Sequence, residues 1–200
     1  LVVRVIETSG RITTSELEVK VVNYQSGGWV KPERTEFKFA VLGDNRPGAT
    51  GEPQPQVYEQ LLRSINHENP DLVFNVGDIV LSGELSEYVD FVRVTSLLKA
   101  PLLIAMGNHE VTIGEEGQKW FQHFFGELYY SFNYGNSHFL IINANIVGYE
   151  YNVSEEQLSW IREDLESARG VDHIFVFIHQ PIYPYAHGLE DKRTEATLRE

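Results

Sequence analysis

Apolar residues follow two different spacings along the chain, and the change between them falls early in the sequence. In the first 24 residues alternate positions are apolar, as at Val3 and Val5 and again at Val19, on either side of a Ser-Gly pair. Such alternation around a turn predicts a β-hairpin at 1–24. The following segment, 25–35, is rich in serine, glycine and proline and is predicted to be a linker.

From residue 36 onward, short apolar runs alternate with segments in which the apolar residues have helical spacing. This pattern predicts strands at 37–42, 72–76 and 102–105, with helices at 55–66 and 86–98. Strands and helices in this alternation are typical of a largely parallel sheet that helices cover, with the chemistry at the carboxyl ends of the strands.

The later part of the chain predicts a second group of strands. Two apolar runs around a Gly-Asn pair indicate a hairpin at 129–134 and 138–143, and another run predicts a strand at 173–178. Ser154 begins a capping-box pattern and so marks the start of a helix. Helical spacing resumes near residue 190 and continues to the last residue without a stop signal, so we expect the chain to end inside a helix.

Charge and composition narrow the choice of function. With 16 basic and 29 acidic side chains the formal net charge is −13, and such a field repels nucleic-acid backbones and anionic membranes. A nucleic-acid coat role is therefore not expected, and no apolar run reaches the roughly 20 residues of a membrane span. Cysteine is absent, which excludes thiolate metal sites and a cysteine nucleophile. An acidic chain that handles anionic substrates needs local positive charge, which a bound metal ion supplies.

Predicted strands repeatedly end in residues that ligate hard metal ions. The strand ends read Gly43-Asp44, Gly77-Asp78, Gly107-Asn108-His109-Glu110 and Ile178-His179. Glycine lets the backbone turn sharply beside an ion, while carboxylate, amide oxygen and imidazole groups are ligands for Zn, Mn or Fe. A single Gly-Asp pair is more simply a capped turn, but several such strand ends together indicate a metal centre.

In this order the strand-end motifs resemble those of the calcineurin-like metallophosphoesterases, and Gly107-Asn108-His109-Glu110 is the most specific of them. The stretch from Phe125 to Trp160 also resembles the branch related to the purple acid phosphatases. The resemblance covers about residues 37–187. It implies an α/β fold for 36–200, a sandwich of two sheets flanked by helices (αββα). It also implies hydrolysis of phosphoric esters, as a phosphatase or phosphodiesterase, at a binuclear centre of divalent or trivalent Fe, Mn or Zn ions.

The same resemblance implies a role for each matching residue. Asp44 would bind the first metal ion, and Asp78 would bridge both ions. Asn108 and His179 would bind the second ion, and Asn108 would also contact the substrate. His109, beside the ligand Asn108, would lie over the phosphate as an acid or electrostatic stabiliser.

Two further residues enter the expected site, and two positions depart from the family pattern. Glu110 would orient His109 from behind, and His187 would protonate the leaving group.

Arg46 stands where most of the superfamily has a histidine ligand, and a guanidinium cannot coordinate a metal ion. Arg46 therefore either binds a substrate oxygen or belongs to a structural salt bridge. Leu81 stands where the purple enzymes have a tyrosine, so a purple Fe(III)–tyrosinate centre is not expected.

The last motif of the family, Gly-His-x-His, gives one histidine to each metal ion and would follow the final helix of this chain. We therefore expect the 200 residues to be incomplete at the carboxyl end, with the missing ligands in a longer chain or a partner chain. Alternatively the site is vestigial, and the chain is a non-catalytic interaction or adhesion module. The hairpin at 1–24 is either an edge ribbon of the main domain or the end of an immunoglobulin-like domain. The latter would favour an extracellular or periplasmic location.

Overall fold

The computed structural model describes residues 2–6, 12–16, 36–182 and 193–199. Within them the strands are β1 (Val2–Ile6), β2 (Ile12–Glu16), β3 (Phe39–Leu42), β4 (Leu72–Asn75), β5 (Leu102–Ile104), β6 (Tyr130–Tyr134), β7 (Ser137–Ile141) and β8 (His173–Phe177). The helices are α1 (Gln56–Glu68), α2 (Leu85–Thr95), α3 (Glu115–Phe125), α4 (Glu155–Ser167) and α5 (Arg193–Arg199), and a 3₁₀ turn covers His109–Val111. None of these helices is long and apolar enough to cross a membrane.

The strands form three sheets. β3, β4 and β5 are parallel and lie in that order, as the alternation of strands and helices predicts. β6 and β7 form the predicted hairpin, in which Phe132 pairs with Phe139, and β8 adds parallel to β7. β1 and β2 form a separate antiparallel ribbon in which Val2 pairs with Glu16. The later alternating run expected of this hairpin, at 17–21, lies outside the described residues.

Apolar clusters divide the main domain into layers. The middle cluster joins the inner faces of the two main sheets, where Phe74 of β4 stacks on Phe139 of β7 with 5.2 Å between ring centroids. A second cluster packs α1, α2 and α3 against the sheet of β3, β4 and β5. A third cluster packs α4 and α5 against the other sheet. The fold is therefore the predicted αββα sandwich.

The structure adds one helix to the predicted elements. In α3, Phe121 and Phe124 are buried at helical spacing, and Gly117 lies buried in the same helix. An internal glycine and neighbouring aromatic residues weaken the helical signal of this segment, because both have lower helix propensity than alanine or leucine. By contrast, α4 begins after Ser154 as predicted, because the Ser154 side chain caps the helix.

In the part of the chain that the structure describes, one side of the sandwich is formed by edge strands. β3 and β8 are edge strands of the two main sheets and lie next to each other, with 5.0 Å between the ring centroids of Phe39 and Phe175. Some of their apolar side chains are only partly covered, since Val41 is 51% and Ile174 is 46% exposed. Exposed apolar edge strands are places where further strands pair.

Replacing Phe139 by alanine is expected to lower the free energy of unfolding by about 3–5 kcal/mol, because losing a fully buried aromatic ring leaves a cavity between the sheets. Tyr149→Ala, at a position that is 51% exposed, should change it by less than about 0.5 kcal/mol. Urea denaturation followed by tryptophan fluorescence measures both effects. Equal losses for the two variants would contradict this assignment of the core.

Candidate metal centre

Strands of both sheets deliver the predicted ligands to one end of the sandwich. Asp44 follows β3, Asp78 follows β4, Asn108 follows β5, and His179 follows β8. Asp44, Asp78 and His179 each offer one ligand atom, and these atoms lie within 4.8 Å of one another. The ends of β3, β4 and β8 therefore meet, although β8 belongs to the opposite sheet.

The aspartates of the two Gly-Asp turns have nearly the same φ angle. Asp44 and Asp78 adopt left-handed φ angles of 55° and 56°, which are uncommon outside glycine but enriched in aspartate. The Asp44 amide donates to the Gly77 carbonyl at 2.9 Å, and the Arg46 amide donates to the Asp78 carbonyl at 3.0 Å. These two hydrogen bonds hold the turns together. Backbone in sparsely populated φ/ψ regions is common at functional sites.

Glycine is required where the β4 and β5 loops approach each other. A Cβ atom on Gly77, whose φ is 103°, would lie 2.5 Å from the Gly107 nitrogen. A Cβ atom on Gly107 would collide with the carboxylate and amide of Asp78. The glycines of these two motifs therefore allow a contact between loops that any larger residue would prevent.

Asp78 lies at the centre of the site and is almost fully buried, with 4% of its surface exposed. Its Oδ1 atom is 3.4 Å from Nε2 of His179 and accepts the His109 amide at 3.1 Å. Its Oδ2 atom is 3.5 Å from Nε of Arg46 and 3.8 Å from Nε2 of His109. A buried carboxylate needs such partners, and both oxygens of Asp78 have them.

One imidazole nitrogen of His179 is hydrogen-bonded to the backbone, and the other faces the cluster. Nδ1 donates to the Val76 carbonyl at 2.9 Å, which places the proton of the neutral ring on Nδ1. Nε2 then carries a lone pair and faces Asp78. Because metal-ligating histidines typically use their second nitrogen in this way, the residues present fit a metal ion.

A backbone group holds the ring of His109. Its Nδ1 atom is 2.5 Å from the Leu81 carbonyl, and its side chain is 26% exposed. The ring therefore presents Nε2 towards Asp78. At the position where the purple enzymes have a tyrosine, Leu81 thus contributes a backbone carbonyl to the site.

Glu110 joins the two metal-binding loops. Its fully buried carboxylate accepts the amides of Asp78 at 3.0 Å and Gly107 at 2.5 Å, among others. Burial and, second, repulsion by Asp78 raise the pKa of Glu110 to about 7, while the backbone amides act in the opposite direction. We expected Glu110 to orient the His109 ring. That ring is held by the Leu81 carbonyl instead, and the Glu110 carboxylate accepts hydrogen bonds from backbone amides.

Arg46 and Asn108 border the cluster, whereas His187 lies outside the described residues. The Arg46 side chain is 32% exposed and pairs with Asp78, as expected for a structural salt bridge. The Oδ1 atom of Asn108 is 3.5 Å from Nε2 of Gln180, the residue that follows His179. Asn108 therefore lies near the end of β8.

Buried and half-buried carboxamides border the site, and the sequence predicts no role for them. Asn75 donates to Asn45 at 2.7 Å, beside the first Gly-Asp turn. Asn145 and Gln180 form a second pair near the end of β8. In the sequence, Gln180 directly follows His179 and asparagines follow the apolar strand β7, but neither position indicates that these amides pair.

Fold and site together define an αββα protein whose strand ends form a candidate centre for metal ions. The chain belongs to the calcineurin-like phosphoesterase family, because the model of that family matches residues 37–200.

Similar proteins agree with this membership. The chain is 30% identical over 185 aligned residues to the serine/threonine-protein phosphatase CPPED1 of Bos taurus, covering 80% of this chain and 56% of that protein. It is 30% identical over 150 residues to the probable glycerophosphodiester phosphodiesterase GpdQ of Arcobacter nitrofigilis. That alignment covers 67% of this chain and 51% of that protein. The solved structure of purple acid phosphatase PPD1 from yellow lupin (Lupinus luteus) seeds matches with a TM-score of 0.62 at 19% identity. That match covers 76% of this chain and 32% of the lupin chain. The fold is confirmed, and the chain spans about half the length of these curated relatives.

Glu110→Gln is expected to lower the free energy of unfolding by about 2–4 kcal/mol, because its new NH₂ group would face backbone N–H groups that need an acceptor. Glu115→Gln, on the exposed side of α3, should change it by less than about 0.5 kcal/mol. Urea denaturation of the metal-free chain compares the two variants. If Glu110→Gln proves as stable as the native chain, Glu110 does not hold the loops together.

Proposed function

We propose that this chain hydrolyses phosphoric esters at a binuclear metal centre. The observation that carries the proposal is the convergence of Asp44, Asp78 and His179, whose ligand atoms lie within 4.8 Å of one another at the ends of strands. These residues also occupy the positions that the resemblance to the family assigns to metal ligands. Membership of the phosphoesterase family supports the choice of reaction.

In the proposed centre, Asp44 holds one ion, Asp78 bridges two ions, and Asn108 and His179 hold the other. Fe, Mn or Zn ions suit this mixture of carboxylate, amide oxygen and imidazole ligands. Bound ions supply an activated water molecule and neutralise charge on the phosphoryl oxygens.

Further side chains act on the phosphoryl group. His109 presents Nε2 beside Asp78 and serves as an acid or electrostatic stabiliser. Arg46 approaches Asp78 through Nε, and its terminal N–H groups bind a phosphoryl oxygen. Asn108 contacts the substrate as well as the metal, and His187 protonates the leaving group.

The proposed substrate is a small phosphate ester. One relative is named a serine/threonine-protein phosphatase and another a glycerophosphodiester phosphodiesterase, so monoesters and diesters are both candidates for this chain. Rates of hydrolysis of p-nitrophenyl phosphate and bis(p-nitrophenyl) phosphate with added Mn²⁺ test the proposal. If the chain binds metal and hydrolyses neither compound, catalysis of this kind is excluded, and a non-catalytic module is favoured.

Asp78→Asn is expected to reduce bound metal more than His179→Ala, because Asp78 alone contacts both ions in the proposed centre. Metal analysis after reconstitution with Mn²⁺ gives the number of ions per chain for each variant. Asp172→Asn, an exposed control at the opposite end of β8, should bind as much metal as the native chain. Equal metal contents for Asp78→Asn and His179→Ala would contradict the bridging role.

His109→Ala should reduce turnover by about 100-fold or more, as expected for loss of a positioned acid, while the metal content stays close to native. His123→Ala removes an exposed imidazole from α3 and serves as the matched control. Initial rates and metal analysis on the same samples separate the two effects. Unchanged hydrolysis of p-nitrophenyl phosphate would remove His109 from the mechanism, and loss of metal would make it a ligand instead.

A further inference from the structure

A pair of buried carboxamides lies next to the proposed ligands and has no role in the proposed function. Asn145 is fully buried, and Gln180 is 2% exposed. Two reciprocal hydrogen bonds join their side chains. Nδ2 of Asn145 donates to Oε1 of Gln180 at 2.8 Å, and Nε2 of Gln180 donates to Oδ1 of Asn145 at 2.7 Å. A buried, mutually satisfied pair of this kind holds both amides in one orientation.

The carbonyl of Met106 determines which end of each amide points in which direction. Nδ2 of Asn145 also donates to this carbonyl at 3.1 Å, and a backbone carbonyl only accepts hydrogen bonds. Asn145 cannot be turned over without placing its oxygen against the Met106 oxygen. Because Nδ2 of Asn145 needs Oε1 of Gln180 as its second acceptor, the orientation of Gln180 is fixed as well.

Gln180 in turn faces the amide of Asn108. Nε2 of Gln180 is 3.5 Å from Oδ1 of Asn108, so a donor is directed at the oxygen of that amide. An amide ligates a metal ion through its oxygen, and a turned-over asparagine would present N–H groups that repel the cation. The donor of Gln180 therefore favours the one orientation of Asn108 that can bind metal.

We infer that Asn145 and Gln180 are positioning residues that set the oxygen of the Asn108 carboxamide for metal binding. This inference rests on the proposed function, because it requires Asn108 to be a metal ligand. Removing a group that hydrogen-bonds to a metal ligand typically lowers the affinity for the metal by about 10–100-fold. An aspartate at position 108 would not need this support, because turning over a carboxylate still presents an oxygen.

The test is the dissociation constant of Mn²⁺, measured from the electron paramagnetic resonance signal of the free ion. Gln180→Met, which keeps the length of the side chain, should weaken binding by about 10-fold or more. In the Asn108→Asp background the same substitution should weaken binding by less than about 3-fold, since a carboxylate presents an oxygen to the metal in either orientation. Gln118→Met, which removes a hydrogen bond from the Val147 amide, is the matched control and should leave Mn²⁺ affinity unchanged in both backgrounds.

A second variant, Asn145→Asp, separates positioning from simple electrostatics. The added negative charge by itself would tighten Mn²⁺ binding, whereas loss of the donor to Met106 and Gln180 should weaken it by disturbing Asn108. Weaker binding by a variant that still unfolds cooperatively supports the inference. Unchanged or tighter binding by this variant, or an equal loss for Gln180→Met in both backgrounds, overturns it. If the native chain itself binds no Mn²⁺, the proposed metal centre fails and the inference fails with it.

Discussion

The site depends on one buried carboxylate, that of Glu110. The loops that follow β4 and β5 carry Asp78 and Asn108, and Glu110 accepts backbone amides from both loops. An unsatisfied buried amide costs about 1–3 kcal/mol, so separating the loops would break several such bonds at once. Glycine at positions 77 and 107 removes the side chains that would otherwise keep the loops apart. The distances around Asp78 therefore depend on hydrogen bonds to Glu110, which is not itself one of the proposed metal ligands.

The buried charges of the site are balanced by near neighbours. Asp78 and Glu110 are both buried, and repulsion between them is one of the causes that raise the pKa of Glu110. Arg46 approaches Oδ2 of Asp78 and offsets part of this charge, and the His109 amide donates to Oδ1. A cation bound to Asp78 would offset more of it and would favour the ionised form of Glu110, which the backbone amides need as an acceptor. A chain of net charge −13 would obtain a locally positive site in this way.

The elements of the fold follow from local pattern more directly than the contacts of the site do. Apolar runs that end in glycine predict β3, β4 and β5, because each strand must be buried and then turn. The approach of His179 from the opposite sheet is implied only by the family resemblance, since periodicity does not state which sheets stack. The role of Glu110 could not be predicted either, because its bond to the Asp78 amide joins residues 32 positions apart. Likewise, Asn145 and Gln180 are 35 positions apart and pair only once β7 and β8 lie side by side.

Arg46 makes the two oxygens of Asp78 unequal towards a cation. Oδ2 lies 3.5 Å from Nε of Arg46, whereas Oδ1 lies 3.4 Å from Nε2 of His179. Two like unit charges about 4 Å apart repel by about 4 kcal/mol at an effective dielectric constant of about 20. In the proposed centre, an ion on the Oδ2 side would therefore be opposed by the guanidinium, whereas an ion on the Oδ1 side would meet the imidazole of His179. A phosphate oxygen that draws the partly exposed Arg46 away from Asp78 would relieve that opposition, so substrate and the more weakly held ion should favour each other's binding.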